Sequence, residues 1–195
     1  MNEVPGIIAI YDSCVLYPAP LRDLLIRLAQ TGLYRAHWTE AIHEEWITNL
    51  LEARPDLSRA QLERTRRLMD AAVRDCLIAG YEGRIDSLTL PDPDDRHVLA
   101  AAIEAQAQVI VTFNLRDFPA SALQPYGLEA QHPDNFIFRI IALNPLLIRE
   151  TVETHQQALQ KPPKTPDQYF DTLSNQGLSK TVAALKQICF KPSTS

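Results

Sequence analysis

Two short runs of β-branched apolar residues, GIIAIY (residues 6–11) and VIVTF (residues 109–113), constrain the fold most. Neither alternates apolar with polar positions, so each reads as a strand covered on both faces, the pattern of a parallel sheet. Helical periodicity fills the intervals. A helix is expected over 20–32, with Leu21, Leu24, Leu25 and Leu28 on its buried face; a second runs to Leu51 behind Thr39 as N-cap; a third opens at Ser58 and runs to about Ala79 before Gly80. Shorter strands are expected at 34–38, near Leu88 and at 128–130, and further helices after DPDD and at 136–143, 145–159, 167–176 and 179–190. Such alternation predicts a three-layer α/β fold with a mainly parallel sheet, followed by a C-terminal helical extension.

The chain has 195 residues, 46% of them hydrophobic, enough for one domain core with an appendage. Every lysine falls after residue 140, where Arg149 is the sole arginine, so a boundary is placed at Asn144-Pro145, dividing 1–143 from 144–195. A formal charge of -5 argues against a protein that grips nucleic acid through a broad basic face. No segment approaches the ~18 apolar residues of a membrane span. The start lacks a basic stretch followed by an apolar one, so no membrane association and a cytoplasmic location are expected. Cys14, Cys76 and Cys189 are widely spaced and suit reduced packing residues better than a disulfide framework or a zinc site.

Ligands collect outside the carboxyl ends of parallel strands, and both strong strands end in acids there. Asp12 follows the first, and Asn114 and Asp117 follow the second. In LPDPDDRHVLAAA, Asp92 suits an N-cap and Pro93 the first helical position, which accounts for Asp92 and Asp94. Asp95 shares the side of Val98, Leu99 and Ala102, so it points inward and capping explains it only in part. In TEAIHEEWITNLL, Glu45 flanks the stripe Ile42, Trp46, Leu50, whereas Glu44 faces solvent. Ionised carboxylates ~4 Å apart repel by ~1 kcal/mol in water and ~4 kcal/mol at an effective dielectric near 20. A cluster of Asp12, Glu45, Asp95 and Asp117 therefore calls for a hard cation, Mg²⁺ or Mn²⁺. Arg22, Arg96 and Arg116 neighbour these acids in sequence and are the expected phosphate contacts. Thr112 or Ser13 is placed to bind a phosphate or fix a carboxylate.

The segments IIAIYDSCVLYPAPLRDLL, Thr39 to Glu45 and LPDPDDRHVLAAAIEAQAQVIVTFNLRDF resemble, over about residues 7–141, a PIN domain, particularly the VapC-type toxins of toxin–antitoxin pairs. The resemblance implies that Asp12, Glu45, Asp95 and Asp117 bind Mg²⁺ or Mn²⁺ in an RNA-cutting site. Asn114 occupies a loop position that is Asn or Asp in relatives. It also implies an RNA substrate and an antitoxin that covers the site, and it leaves room for a homodimer. Three competing signals are weaker. A haloacid-dehalogenase-like phosphatase needs a second Asp where Cys14 stands. The arginine-rich stretch SRAQLERTRRLMDAAVRDC reads as a solvated helix, with Glu63–Arg67 and Asp70–Arg74 as i,i+4 pairs. The five histidines show no metal-binding spacing and receive no ligand role. The alternative in a different class is a PIN-like binding or regulatory module without catalysis.

Overall fold

The computed structural model describes residues 6–160 and 162–189. Strands β1 (Ile7–Tyr11), β2 (Tyr34–His37), β3 (Val109–Val111) and β4 (Glu129–Gln131) form one parallel sheet in the order β2–β1–β3–β4. β1 is interior, pairing Ala9 with Ala36 on one side and with Val109 on the other. Helices flank the sheet, which is why β1 and β3 are apolar throughout. Tyr11 and Tyr34 share a hydroxyl–hydroxyl hydrogen bond of 2.5 Å, and both hydroxyls approach the Leu25 carbonyl in α2 (Ala19–Ala29). Phe136 of α7 (Pro133–Leu143) meets both rings edge-on, at 6.5 and 5.1 Å. α5 (Arg96–Glu104) packs against β1 and β3 and buries Val98 to Ala102.

Thr39 caps α3 (Glu40–Ala53) by accepting from the Ile42 amide, and Ser58 forms a capping box with Gln61 at the start of α4 (Arg59–Ala72). The later course of α4 corrects the sequence reading. The helix ends at Ala72 rather than near Ala79, because Val73 turns extended and Asp75 takes a φ of 54°. The chain then runs beside Trp38, whose amide donates to Cys76 O while Ile78 N donates to Trp38 O, both at 2.9 Å. No strand forms near Leu88; residues Glu82–Ser87 make a 3-10 helix, after which Leu88 and Leu90 are buried as plugs. A four-residue helix, α1 (Ser13–Leu16), directly follows β1, too short to show a period in sequence. β3 also stops two residues early, at Val111.

Beyond α6 (Ala120–Leu123), β4 and α7, the extension comprises α8 (Pro145–Ala158), α9 (Pro166–Ser174) and α10 (Ser179–Cys189). The expected last helix reached Phe190, which lies outside the described residues. Tyr169, Phe170 and Leu173 are buried within this chain, and the Tyr169 hydroxyl lies 3.0 Å from His155 Nδ1. Among the described residues no helix is long and apolar enough to cross a membrane.

α10 is capped from a distance: buried Asp134, in α7, accepts from Lys180 N at 3.0 Å and Thr181 N at 2.7 Å. Asp134→Ala leaves those amides unpaired and is expected to cost about 1–3 kcal/mol. Urea denaturation checks this, and an unchanged midpoint would show that the cap contributes nothing.

Candidate active site

Asp12 ends β1 at the carboxyl edge of the sheet, and its amide donates to Val111 O at 3.1 Å, prolonging the pairing of β1 with β3. The side chain is 2% exposed, so its oxygens need donors. Thr112 Oγ1 donates to Oδ2 at 2.7 Å, Cys14 Sγ to Oδ2 at 3.0 Å and Ser13 Oγ to Oδ1 at 3.4 Å. Thr112 therefore fixes a carboxylate. Its oxygen also accepts from Asn114 N at 2.9 Å, which shapes the loop after β3. Burial, with the nearby charge of Asp12, pushes the Cys14 thiol up to about 12, so it stays protonated and serves as a donor.

Residues Pro93–Asp95 form a 3-10 turn in which Asp92 caps by accepting from Asp94 N at 2.9 Å. Asp95 makes no capping bond and is half-buried. Its carboxyl is pushed from 3.8 up to about 7, first by burial and then by the charges of Asp12, Asp92, Asp117 and Glu45. The structure thus brings acids from four separate segments within electrostatic reach of one carboxyl group. Asp117 is half-buried in the loop after β3, its amide donating to Asn114 O at 3.0 Å. The Asn114 side chain is exposed.

The two adjacent glutamates face apart. Glu44 points outward to Arg59, at 2.7 and 3.0 Å, whereas Glu45 turns inward and accepts from His97 Nε2 at 2.6 Å. No spacing in the sequence signals this histidine; it meets Glu45 only because α5 begins beside α3. α3 itself is held by a buried chain: Trp46 Nε1 donates to His43 Nδ1, and His43 Nε2 and Trp38 Nε1 both donate to Asp70 Oδ1, each at 2.9 Å. Asp70 is thereby taken up by the core rather than pairing with Arg74 as read from the sequence. Glu63 meets Arg59 and Arg66 rather than Arg67.

The three arginines separate. Arg22 is a correction: it is 6% exposed, its Nη1 donates to Leu16 O at 2.8 Å, and its guanidinium lies 4.9 Å from the Trp46 ring centre, so it braces α1 instead of meeting a phosphate. Arg96 Nε donates to Pro93 O at 2.8 Å, closing the turn that carries Asp95. Arg116 is exposed on the same loop as Asp117. Two clefts, of about 530 Å³ beside β2 and about 560 Å³ between α2 and α4, contain none of the four acids.

Among the described residues no three His, Cys, Asp or Glu side chains close into a ready cation cage. The donor set nevertheless fits a hard divalent ion, since it consists of carboxylates whose mutual repulsion a cation offsets. After burial, that repulsion is the second cause that raises the Asp95 carboxyl.

A family model described as "PIN domain" matches residues 9–116, and one described as "VapC50 C-terminal domain" matches residues 133–187. The first span contains Asp12, Glu45, Asp95 and Asn114 and stops one residue before Asp117. The chain is 43% identical over 82 residues to a protein of Mycobacterium tuberculosis (strain ATCC 25618 / H37Rv) named "Putative ribonuclease VapC50". That alignment covers 42% of this chain and 48% of the relative, about half the relative's length. No solved structure matches the chain.

Proposed function

The chain belongs to the PIN domain family, and on that premise we propose that it is an endoribonuclease using Mg²⁺ or Mn²⁺, the toxin of a toxin–antitoxin pair. The observation that carries the reading is that Asp12, Glu45 and Asp117, from three separate segments, lie near the half-buried Asp95. Asp12, Glu45, Asp95 and Asp117 would hold the cation, and Asn114 would orient the loop between them. The bound ion supplies activation of a water, polarisation of the scissile phosphate and stabilisation of the leaving oxygen. Thr112 and Cys14 keep Asp12 in one orientation, which preorganises the site without adding charge. Arg116, and Arg96 if it leaves Pro93, are the phosphate contacts of this reading. A net charge of -5 confines the grip on RNA to such local cations.

The relative's printed name supports RNA as the substrate. An antitoxin presenting Arg or Lys to the carboxylates is the proposed partner, a homodimer the proposed assembly and the cytoplasm the proposed location. The division at Asn144, which ends α7 and caps α8 through Leu147 N at 3.1 Å, belongs to the same proposal.

Incubation of the purified protein with mixed RNA and with single-stranded DNA of matched length, in Mn²⁺, tests the activity. Internal cleavage of RNA is expected, reduced at least tenfold by Glu45→Gln and unchanged by Glu44→Gln. Equal losses in both variants would refute the assignment of Glu45. Binding of RNA without cleavage would favour a non-catalytic module.

A further inference from the structure

His97 is the polar side chain beside the acids that the reading above leaves without a role. It lies in the first turn of α5 with its side chain 12% exposed, and its Nε2 approaches Glu45 Oε1 to 2.6 Å. A carboxylate only accepts, so Nε2 carries the hydrogen and donates. The other ring nitrogen, Nδ1, is buried without a partner among the described residues. A ring kept only for packing would gain nothing from that unsatisfied nitrogen, since burying a polar atom unpaired is costly. What the imidazole provides, and an apolar ring of similar size would not, is the bond to Glu45.

Building on the cation-binding reading, we propose that His97 is the positioning residue for Glu45: its Nε2–H fixes Oε1 and leaves Oε2 as the donor to the divalent ion. Glu45 needs such a tether, because 39% of its side chain is exposed and its stem carries several rotatable bonds. The arrangement parallels that of Asp12, which is held by Thr112 and Cys14. The Asp12 and Glu45 carboxylates are then each oriented by a side-chain donor: Thr112 and Cys14 for the first, His97 for the second. Partners of this kind are worth about 10–100-fold in metal affinity.

Mn²⁺ binding to the RNA-free protein, read from the electron paramagnetic resonance signal of the free ion, is the test. His97→Phe is expected to weaken binding about 10–100-fold without lowering the cation-free melting temperature. His97→Gln, whose amide nitrogen replaces Nε2, keeps most of the affinity; His97→Asn, whose nitrogen replaces Nδ1, does not. In a Glu45→Ala background His97→Phe costs nothing further, because the two residues act as one unit. Should the Phe variant fail to fold, the contrast between Gln and Asn decides alone. Wild-type affinity in His97→Phe, equal affinities of Gln and Asn, or an undiminished loss in the Glu45→Ala background overturns the role of His97 and leaves the cation reading standing. Failure of the wild-type protein to bind Mn²⁺ overturns both.

Discussion

Asp95→Asn is expected to abolish RNA cleavage, by at least a hundredfold, and at the same time to raise the melting temperature of the cation-free protein. Both effects come from one carboxyl group. Folding raises its pKa from 3.8 to about 7, so the stabilising contribution is complete below the unfolded value, near pH 4. It is lost as pH rises through about 7, when the folded protein must carry the charge beside Asp12, Asp92, Asp117 and Glu45. Asparagine never carries that charge. Because the group is half-exposed, solvent screening limits the gain to about 1 kcal/mol, or about 2–4 °C in a chain of this size. The gain should be present at pH 8 and vanish near pH 4. A variant that melts below wild type at pH 8, or that cuts RNA at the wild-type rate, would contradict the role given to Asp95.

Part of this was legible in the sequence. The uninterrupted runs of β1 and β3 reveal a parallel sheet because two-sided burial leaves no polar alternation. Glu45 separates from Glu44 because helical spacing places only the former beside Ile42 and Trp46. Caps at Thr39 and Ser58 are local, and local chemistry is readable. Tertiary contacts are not. α4 stops at Ala72 because Cys76 and Ile78 pair with Trp38, a contact that no window of α4 contains. Arg22 reads as a free cation until Leu16 O and the Trp46 ring are seen to occupy it. His97 matches no metal-binding spacing, since its partner lies 52 residues away on another helix. Asp70 departs from the i,i+4 pattern for the same reason: α4 ends before Arg74, and the Trp38 and His43 N–H groups take up its carboxylate.

The second large effect is thermal stabilisation by the cation. A ligand that binds only the folded state stabilises it by about 2.7 kcal/mol at a concentration 100 times its Kd, which corresponds to a rise of about 5–11 °C here. Mn²⁺ should give such a shift at pH 8 and a smaller one at pH 6. The ligands must be deprotonated to bind, and below about 7 the Asp95 carboxyl retains its proton. Asp95→Asn and Asp12→Asn should lose most of the shift. A shift of equal size at both pH values, or one that survives both substitutions, would place the ion elsewhere on the molecule.

In the proposed site, the acids at one sheet edge hold a divalent ion without which RNA is not cut. The decisive measurement is cleavage of a defined RNA followed in one continuous reaction, first in Mn²⁺, then after excess EDTA, then after Mn²⁺ is restored beyond the chelator. The expected record is cutting, arrest and resumption at the original rate. Cutting that continues undiminished in EDTA would contradict the claim.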